Sequence, residues 1–213
     1  RKAAGKPGWQ EAESLRRTLA SLATRMQSPH APAAGRVLEL GCGAGDLSLW
    51  LAEAGFDVHG VDLSPTAIAW AQEKAAQRGV AAHFSVGSVL ELAGVASSSV
   101  DLVLDGYCFH CIIGADRARF LASARRVLKP GGVLHVATMC GDVTSPLIRS
   151  RTDPNTRCVL DETGAATRYL GDPEAILGEL REAGLRVLSS RIQPRVDPRT
   201  DMDELFVWAV RED

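Results

Sequence analysis

The sequence predicts an α/β fold in which helices cover both faces of a mostly parallel β-sheet. Short apolar strands alternate with segments of helical period along most of the chain. Strands at 37–40 and 56–62 lead at once into glycine-rich or Ser-Pro helix starts. Two final strands, 185–192 and 205–210, follow each other without a helix, which predicts an antiparallel pair. We therefore expect a doubly wound sheet of seven strands, mostly parallel with an antiparallel strand 7.

The glycine-rich turn after the first strand is the most informative stretch of the chain. Residues 39–45 read Glu-Leu-Gly-Cys-Gly-Ala-Gly and lead into a helix over about 46–54. Glycines permit a tight turn and let a ligand approach the backbone. The helix start presents N–H groups and the positive end of its dipole. This pattern predicts a nucleotide-type binding turn.

The spacing of the glycines separates two classes of ligand. The dinucleotide fingerprint is G-x-G-x-x-G, and its third glycine would fall on Asp46. The carboxylate of Glu39 is awkward for a pyrophosphate but useful for a cation. Residues 39–45 resemble motif I, E/D-x-G-x-G-x-G, of the class I S-adenosylmethionine (SAM) methyltransferases. The resemblance implies SAM as the cofactor and S-adenosylhomocysteine (SAH) as its product, because SAM carries an ammonium and a sulfonium and no phosphate.

A second stretch resembles the same family. Residues 126–132 read Arg-Val-Leu-Lys-Pro-Gly-Gly, like the R-V-L-K-P-G-G element of small-molecule methyltransferases. Its role is structural, since Pro130-Gly131 is expected to turn the chain from the helix over 117–128 into the fifth strand. The resemblance covers roughly 35–140 well and the remainder loosely. It implies a Rossmann-like fold.

The resemblance places the cofactor at the carboxyl ends of the strands. Asp62, which ends the second strand, can accept hydrogen bonds from both ribose hydroxyls, although such an acid also suits an NAD-binding fold. Ser88 stands where this family usually has an acid for the adenine amino group, and a hydroxyl is the weaker acceptor. The expected cofactor contacts are Glu39, Gly41, Cys42, Gly43, Gly45, Asp62, Leu63, Ser88, Val89, Asp105 and Gly106.

The segment after the fourth strand, 100–105, should face the sulfonium and the methyl acceptor. Phe109-His110 resembles the family's common Leu-His pair. His110 is the first catalytic candidate, because a neutral imidazole can take a proton as the methyl arrives. Transfer to an amine or thiolate needs only in-line alignment, so His110 could instead line the pocket. Tyr107 is the second candidate, and Asp105 could steady the SAM ammonium or orient the acceptor.

Five cysteines fit no disulfide framework and predict a reducing, cytoplasmic environment. Cys108 and Cys111 form a C-x-x-C pair, but the two further ligands of a zinc site are not evident. A thioredoxin-type role would need the pair at a helix start after a different strand pattern. Burial in the core is favoured. The sharper alternative adds Cys42, Cys140 or Cys158 to bind a soft metalloid, as in arsenite methyltransferases.

Length and charge restrict the class of protein further. A chain of 213 residues with 46% apolar and 23% charged residues suits one globular domain. The net charge of −2 argues weakly against a nucleic acid or an anionic membrane as partner. No apolar run is long enough to span a bilayer. We expect a cytoplasmic monomer or homodimer that binds a small molecule, without nucleic acid, membrane or metal.

Two segments flank the cofactor-binding part of the expected methyltransferase domain, 35–213. In the N-terminal segment 1–34, residues 1–8 are expected to be disordered. A helix over 9–27 either covers the SAM site as a lid or packs on the sheet edge, and Trp9 either touches ligand or anchors that helix. A cap-like insertion over about 140–171 has no clear period, and its arginines either grip an anionic acceptor or are solvated. These arginines are Arg149, Arg151, Arg157 and Arg168, and the loop 193–203 is interpreted as a connection.

The function predicted is methyl transfer from SAM to a small molecule in metabolite biosynthesis or modification. The chain has Asp-Gly-Tyr-Cys at 105–108, not an N-P-P-Y or D-P-P-Y motif, which argues against nucleobase or glutamine amino groups as acceptors. Oxygen, nitrogen, sulfur and carbon acceptors stay open. The alternatives are an NAD-dependent oxidoreductase, a thiol-assisted metalloid methyltransferase, and a SAM-binding module without turnover, which only the departure at Ser88 supports.

Overall fold

The structure is a computed structural model that describes residues 11–143, 145–194 and 202–213. The predictions for residues 1–8, for Trp9 and for 195–201 of the connecting loop lie outside the described residues. The helices are α1 (Ala12–Arg25), α2 (Asp46–Glu53), α3 (Pro65–Arg78), α4 (Asp116–Val127), α5 (Pro146–Arg149) and α6 (Pro173–Glu182). The strands are β1 (Arg36–Leu40), β2 (Asp57–Asp62), β3 (His83–Val86), β4 (Val100–Asp105), β5 (Leu128–Cys140), β6 (Thr152–Asp153), β7 (Cys158–Leu160), β8 (Ala166–Tyr169), β9 (Leu185–Gln193) and β10 (Asp203–Arg211).

The main sheet has seven strands in the order β3-β2-β1-β4-β5-β10-β9. Five neighbouring strands run parallel, and β10 pairs antiparallel with both β5 and β9. This confirms the doubly wound sheet and its antiparallel seventh strand. Leu40 pairs with Val61 on one side and with Asp105 on the other. The carboxyl ends of β1, β2 and β4 therefore meet at one edge of the sheet.

Helix ends form where the sequence supplies caps. The Ala67 N–H donates to the Ser64 hydroxyl oxygen at 3.2 Å, and Pro65 occupies the first turn of α3. Gly79 ends that helix with a φ of 65°. The Asp172 carboxylate accepts hydrogen bonds from the first two N–H groups of α6 beyond Pro173. These boundaries agree with the sequence prediction because short-range hydrogen bonding determines them.

The alternation of side chains along the strands divides the core into two layers. Leu38 and Leu40 of β1 face α4 and α6 together with Val103. Val37 faces the opposite layer, where Leu22 of α1 packs among residues of β1, β4, β10 and α2. Helix α1 therefore buries an apolar side chain on the sheet. Among the described residues, no helix has both the length and the apolar character needed to span a bilayer.

The chain between α4 and the fifth strand differs from the prediction. Strand β5 begins at Leu128, directly after α4, so that Pro130-Gly131 lies inside the strand. Gly131 has a φ of 78°, and the pairing of β4 with β5 shifts between Val100 and Leu102. The expected turn is thus a local kink in a strand, because β pairing resumes on both sides of it.

The insertion after β5 folds into a small antiparallel sheet in the order β6-β7-β8. We call this sheet, with α5, the cap. Strands of two to four residues are too short to give a recognisable sequence period, so these strands were not predicted. Val143, Val159, Leu170 and Met202 form a small core, and Met139 of β5 packs against it. This core fixes the cap to the ends of β5 and β10.

Candidate active site

The glycine-rich turn lies between the carboxyl ends of β1, β2 and β4, and its amides are already hydrogen-bonded. The N–H groups of Gly41 and Cys42 both donate to the Val61 carbonyl, at 2.8 and 3.0 Å. The Gly43 N–H donates to Asp62 Oδ2 at 2.9 Å. Because the protein itself satisfies these donors, the turn is not built as a phosphate cradle.

Two glycines allow the turn and the end of β4 to approach each other closely. A Cβ on Gly41, whose φ is 70°, would lie 2.7 Å from the Cβ of Cys108. A Cβ on Gly106 would lie 2.6 Å from Oε1 of Glu39. Any side chain at either position would force these segments apart, so the glycines are needed for packing within the protein.

The start of α2 is occupied by an acidic side chain. Asp46 lies in the first turn of the helix, where a carboxylate interacts favourably with the helix dipole. Lys74 of α3 donates to Asp46 Oδ1 at 2.6 Å, and both side chains are largely buried. In a dinucleotide-binding fold a pyrophosphate takes the place of this carboxylate. The ion pair therefore argues against the NAD-dependent alternative.

Glu39 is a buried acid directly before the glycine-rich turn. Its carboxylate accepts a hydrogen bond from the Ser48 hydroxyl of α2. Burial raises the pKa of Glu39 to about 8, and the neighbouring carboxylates of Asp46 and Asp62 contribute in the same direction. A positive charge beside Glu39 would stabilise its ionised form.

Asp105, at the end of β4, is the second buried acid. Its Oδ1 accepts hydrogen bonds from the N–H groups of Cys108 and Phe109 at 2.8 and 2.9 Å. Burial raises its pKa to about 7, although these two amides, that of Ala137 and the charge of Arg117 oppose the shift. Within the described part of the chain, no hydrogen bond of normal geometry reaches its Oδ2. This oxygen is buried, and it keeps acceptor capacity for a group that reaches the end of β4.

The acidic side chains of this site fit SAM. Glu39, Asp62 and Asp105 bring three carboxylates to one sheet edge, and the amides of the intervening turn are satisfied internally. In their ionised forms these acids would repel a phosphate and attract an ammonium or a sulfonium, and a bound cation would favour those ionised forms. The acceptor oxygen left on Asp105 and the raised pKa of Glu39 both suit a cationic ligand.

Asp62 is held in one orientation by the backbone. Its Oδ1 accepts from the Ser64 N–H at 2.8 Å, and its Oδ2 accepts from Gly43. Each carboxylate oxygen keeps a second lone pair that a ribose hydroxyl can use. Beside it, Leu63 is 70% exposed and Val86 is 53% exposed. An apolar surface therefore lies next to Asp62; Val86 was not among the expected contacts.

Three other expected cofactor contacts are less available through their side chains. The Leu90 N–H donates to the hydroxyl oxygen of Ser88 at 3.2 Å, which uses part of its acceptor capacity. Val89 is buried in the main core, and Cys42 is buried between α2 and α3. Gly45 starts α2 with a φ of 77°. Cys42, Val89 and Gly45 therefore offer a ligand mainly their backbone.

The two catalytic candidates lie on the segment that follows β4. Tyr107 has a φ of 63°, a left-handed conformation that is strained for a tyrosine. His110 is buried within a single 3₁₀ turn, Phe109–Cys111. Strain of this kind is found at sites where function requires one side-chain direction, so the geometry is compatible with a role for Tyr107.

Arg25, at the end of α1, reaches this segment, which the sequence did not indicate. Burial lowers the pKa of Arg25, while a side-chain hydrogen bond with Tyr107 and the charge of Glu204 favour its charged form. Its guanidinium carbon lies 4.4 Å from the centre of the Phe206 ring. Helix α1 thus packs on the sheet and also contacts Tyr107 in the segment that follows β4. Whether α1 acts as a lid stays a prediction.

Arg117 of α4 holds the same segment from the opposite face of the sheet. It forms a bidentate pair with Glu179 of α6, with Nη2 2.6 Å from Oε2. Its Nη1 donates to the carbonyls of Phe109 and Ile112 at 2.9 and 3.2 Å. The guanidinium also lies 4.3 Å from the ring centre of Tyr169 in the cap. One buried side chain thus joins α4, α6, the segment that follows β4 and the cap.

The cysteines are free thiols in this structure. Cys108 is partly buried, and burial raises its pKa. Cys111 is exposed, and burial of its thiol group raises its pKa while nearby Arg168 opposes the shift. Across the described residues, no group of three or more His, Cys, Asp or Glu side chains is arranged to hold a metal ion. The metalloid alternative therefore has no preformed ligand set in the described part of the chain.

The four arginines of the cap differ in their surroundings. Arg157 donates to the carbonyls of Leu170 and Gly141 at 2.7 and 2.9 Å, and Arg149 donates to that of Val143 at 2.9 Å. These two arginines therefore hold cap backbone. Arg151 and Arg168 line a cleft of about 260 Å³ beside Met202. They are the two that an acceptor in that cleft would meet.

Comparison with known proteins identifies a family match over part of the chain. A family model described as Methyltransferase domain matches residues 37–132. The ribosomal RNA small subunit methyltransferase C of Alcanivorax borkumensis is 37% identical over 108 residues, 47% of this chain and 31% of that protein. The ubiquinone biosynthesis O-methyltransferase of Xanthomonas axonopodis pv. citri is 34% identical over 109 residues, 51% of this chain and 44% of that protein. The chain thus spans less than half the length of these relatives.

A solved SAM-dependent methyltransferase from Methanosarcina mazei has the same fold. It superposes with a TM-score of 0.74 at 23% identity, covering 85% of this chain and 94% of that one. The matched region, 37–132, contains the glycine-rich turn, Asp62, Asp105 and the kink at Pro130-Gly131. Fold and family agree with the resemblance that the motifs indicated. Residues 37–132 thus match the methyltransferase domain family, and the chain has the fold of the SAM-dependent methyltransferase from Methanosarcina mazei.

Proposed function

We propose that this chain is a SAM-dependent methyltransferase that binds SAM at the carboxyl ends of β1, β2 and β4. The observation that carries the proposal is the set of carboxylates from Glu39, Asp62 and Asp105 around a turn whose amides are already satisfied. Ionised carboxylates at these three positions attract a cation and repel a phosphate. When bound, SAM supplies an electrophilic methyl group on its sulfonium.

The roles of the cofactor residues follow from their positions. Glu39 and the free oxygen of Asp105 hold the ammonium group, and Asp62 accepts hydrogen bonds from the ribose hydroxyls. Leu63 covers one face of the adenine with its exposed side chain. Ser88 accepts weakly from the adenine amino group. The backbones of Gly41, Cys42, Gly43, Gly45, Val89 and Gly106 complete the wall of the site.

We further propose a small-molecule acceptor that reacts through oxygen, nitrogen or sulfur. The cap packs against the ends of β5 and β10. One cleft in it, of about 360 Å³, is lined by Arg149 and Arg157, and another, of about 260 Å³, is lined by Arg151, Arg168 and Met202. Clefts of this size suit a metabolite better than a folded RNA. By name, one relative is a ribosomal RNA methyltransferase and the other a ubiquinone biosynthesis O-methyltransferase. The relatives therefore do not decide the class of acceptor, and the proposal rests on the cap.

Catalysis would use the segment after β4. For a hydroxyl or thiol acceptor, His110 takes the proton that leaves as the new bond to the methyl carbon forms. Tyr107, held in its strained conformation, positions the acceptor for in-line attack. An anionic group on the acceptor would pair with Arg151 or Arg168, because both line the cleft beside Met202 and neither donates to a backbone carbonyl of the described residues.

Calorimetric titration with SAM, SAH and NAD tests the cofactor proposal. We expect SAM and SAH to bind and NAD not to bind. Asp62→Ala should weaken SAM at least about tenfold, since a hydrogen bond to a charged group contributes about 1.5–3 kcal/mol. Asp57→Ala is the matched control, because Asp57 lies at the opposite end of β2 in an exposed pair with Arg36. NAD binding, or equal SAM affinity for both variants, would contradict the proposal.

The acceptor proposal is tested by release of SAH. Small carboxylic acids that bear a hydroxyl, amino or thiol group are screened with SAM. We expect turnover that falls in His110→Gln for hydroxyl acceptors, and a raised KM for the anionic acceptor in Arg151→Ala or Arg168→Ala. Turnover with ribosomal RNA and with none of the small acceptors would contradict the proposed acceptor class while leaving the cofactor proposal intact.

A further inference from the structure

A second cleft lies between α1 and the strands β9 and β10. Its volume is about 500 Å³. Arg25 and Arg191 line it together with Phe206 and Trp208, and most of the other lining side chains carry hydroxyl or amide groups. Over the described residues, no acid lines this cleft. It therefore combines two cations with two aromatic rings.

The hydrogen-bonding capacity of Arg25 is only partly used by the protein. Its Nη1 donates to the Ser21 hydroxyl at 2.5 Å, and its guanidinium lies over the ring of Phe206. Its Nε is buried, and no described residue accepts a hydrogen bond from it. A buried cation with an unused donor is unfavourable, so an anion close to Arg25 would stabilise this arrangement.

The second cation adds to this imbalance. Arg191 donates to the side chain of Gln193 at 3.2 Å, a neutral partner. Burial lowers the pKa of Arg25, and the charge of Arg191 contributes in the same direction, as expected for two cations that line one cleft. An anion between them would offset the repulsion of these like charges and accept from both. Glu204, on the same face of β10 as Phe206 and Trp208, partly compensates the charge of Arg25, whereas no acid among the described residues that line the cleft compensates Arg191.

We propose that this cleft binds a small aromatic anion, such as an aryl carboxylate or an aryl phosphate. Its anionic group lies between Arg25 and Arg191, and its ring packs on Phe206 and Trp208. Because Arg25 is also hydrogen-bonded to Tyr107, occupancy of the cleft is transmitted to the segment that follows β4. The ligand is either part of the methyl acceptor or a separate effector; the binding claim itself does not depend on methyl transfer.

Calorimetry on the full chain tests the binding claim. The probes are benzoate and phenyl phosphate, with benzamide and inorganic phosphate as matched controls for the ring and for the anion alone. We expect saturable binding of benzoate or phenyl phosphate, and weaker or no binding of both controls. Arg25→Gln and Arg191→Gln should each weaken the probe at least about tenfold.

The control variant is Arg186→Gln, because Arg186 is also on β9 but pairs with Glu212 outside the cleft. If Arg25→Gln does not fold, Arg191→Gln still decides the question, because Arg191 is exposed on an edge strand. Absence of saturable binding, equal binding of benzamide, or probe affinity unchanged in both cleft variants would overturn the proposal. SAH binding, measured in the same preparations, shows separately whether the cofactor proposal holds.

The source of the ligand is distinguished by kinetics. Competition between benzoate and an acceptor found by SAH release assigns the cleft to the acceptor. A change in turnover that leaves the acceptor KM unaltered assigns it to an effector. Both results support the cleft as an anion site. Benzoate that binds through Arg25 and Arg191 without changing either SAH release or SAH affinity would overturn the transmission through Tyr107.

Discussion

Single contacts in the candidate site leave no room for extra atoms. The Gly106 N–H donates to the Leu40 carbonyl at 3.1 Å, and a Cβ at this position would lie 2.6 Å from Oε1 of Glu39. The same Cβ would lie 3.2 Å from the Leu40 carbonyl oxygen, which is part of the backbone. One methyl group at Gly106 would therefore displace either the acid or the strand.

Gly106→Ala should weaken SAM at least about tenfold and lower the melting temperature of the ligand-free chain. The physical reason is the displaced carboxylate of Glu39, since positions of cofactor ligands matter on the scale of an ångström. Gly94→Ala is the control, because a Cβ on Gly94 would meet no atom within 4 Å. Titration calorimetry and thermal melting are the measurements. Equal SAM affinity in the two variants would mean that Glu39 does not contact the cofactor.

The sequence indicated some site residues and missed others for one physical reason. Glu39 and Asp62 were predicted as site residues because fixed distances along the chain place them at strand ends. The partner of Asp46, Lys74, is 28 positions away in sequence and was not predicted. The contact of Arg25 with Tyr107 depends on how α1 crosses the sheet, which no local pattern records.

At the scale of the elements, the segment that follows β4 is held by packing between α4 and α6. Arg117 is buried, and its guanidinium carbon lies 3.8 Å from the ring centre of Phe109. Glu179 is its charged partner on α6 and is 27% exposed. Removing the charge of Glu179 would leave the guanidinium buried against two aromatic rings. This pair thus connects the stability of α6 to the position of Phe109.

Glu179→Gln should lower the free energy of unfolding by about 2 kcal/mol, less than the roughly 3–5 kcal/mol of a fully buried ion pair, because Glu179 is partly exposed. Urea unfolding followed by circular dichroism measures the change. Glu174→Gln, on the same helix, removes an exposed partner of Arg181 at 3.7 Å and should cost less than about 1 kcal/mol. Similar losses of unfolding free energy in both variants would show that the Arg117–Glu179 pair contributes no more to stability than an exposed ion pair.

Elements with local signals were predicted closely, and those without them were not. Helix α3 begins at Pro65 and ends before Gly79, as Ser64-Pro65 and the glycine indicated. The cap strands have two to four residues each, and tertiary contacts decide their pairing. Pro130-Gly131 was expected to be a turn between elements, but β pairing extends across it to Leu128.

At the scale of the whole molecule, the sheet buries two carboxylic acids that the unfolded chain exposes. Burial raises the pKa of Glu39 from an ordinary 4.5 to about 8 and that of Asp105 from 3.8 to about 7. The folded chain therefore keeps protons that the unfolded chain releases. Between these values the unfolded state binds fewer protons, so the stability of the ligand-free chain falls as pH rises.

Two histidines, His59 partly buried and His135 fully buried, act in the opposite direction at lower pH. Burial lowers the pKa of His59 to about 4 and that of His135 to about 3, from an ordinary 6.5. Their contribution to stability grows as pH rises and is complete above about pH 7. The contribution of Glu39 is consequently separated best between about pH 7 and about pH 8, where these histidines are neutral in both states.

In that window we expect the free energy of unfolding of the ligand-free chain to fall as pH rises, by up to about 1.4 kcal/mol per pH unit for each proton retained. Urea unfolding at a series of pH values measures the slope. Glu39→Gln removes one retained proton and should flatten the slope, whereas Glu174→Gln, an exposed acid on α6, should leave it unchanged. SAM, as a cation beside Glu39, favours the carboxylate, so its affinity should rise over the same interval. A slope that is identical in Glu39→Gln and in the parent chain would show that Glu39 is ionised in the folded protein at neutral pH, and the rise in SAM affinity with pH would then be absent as well.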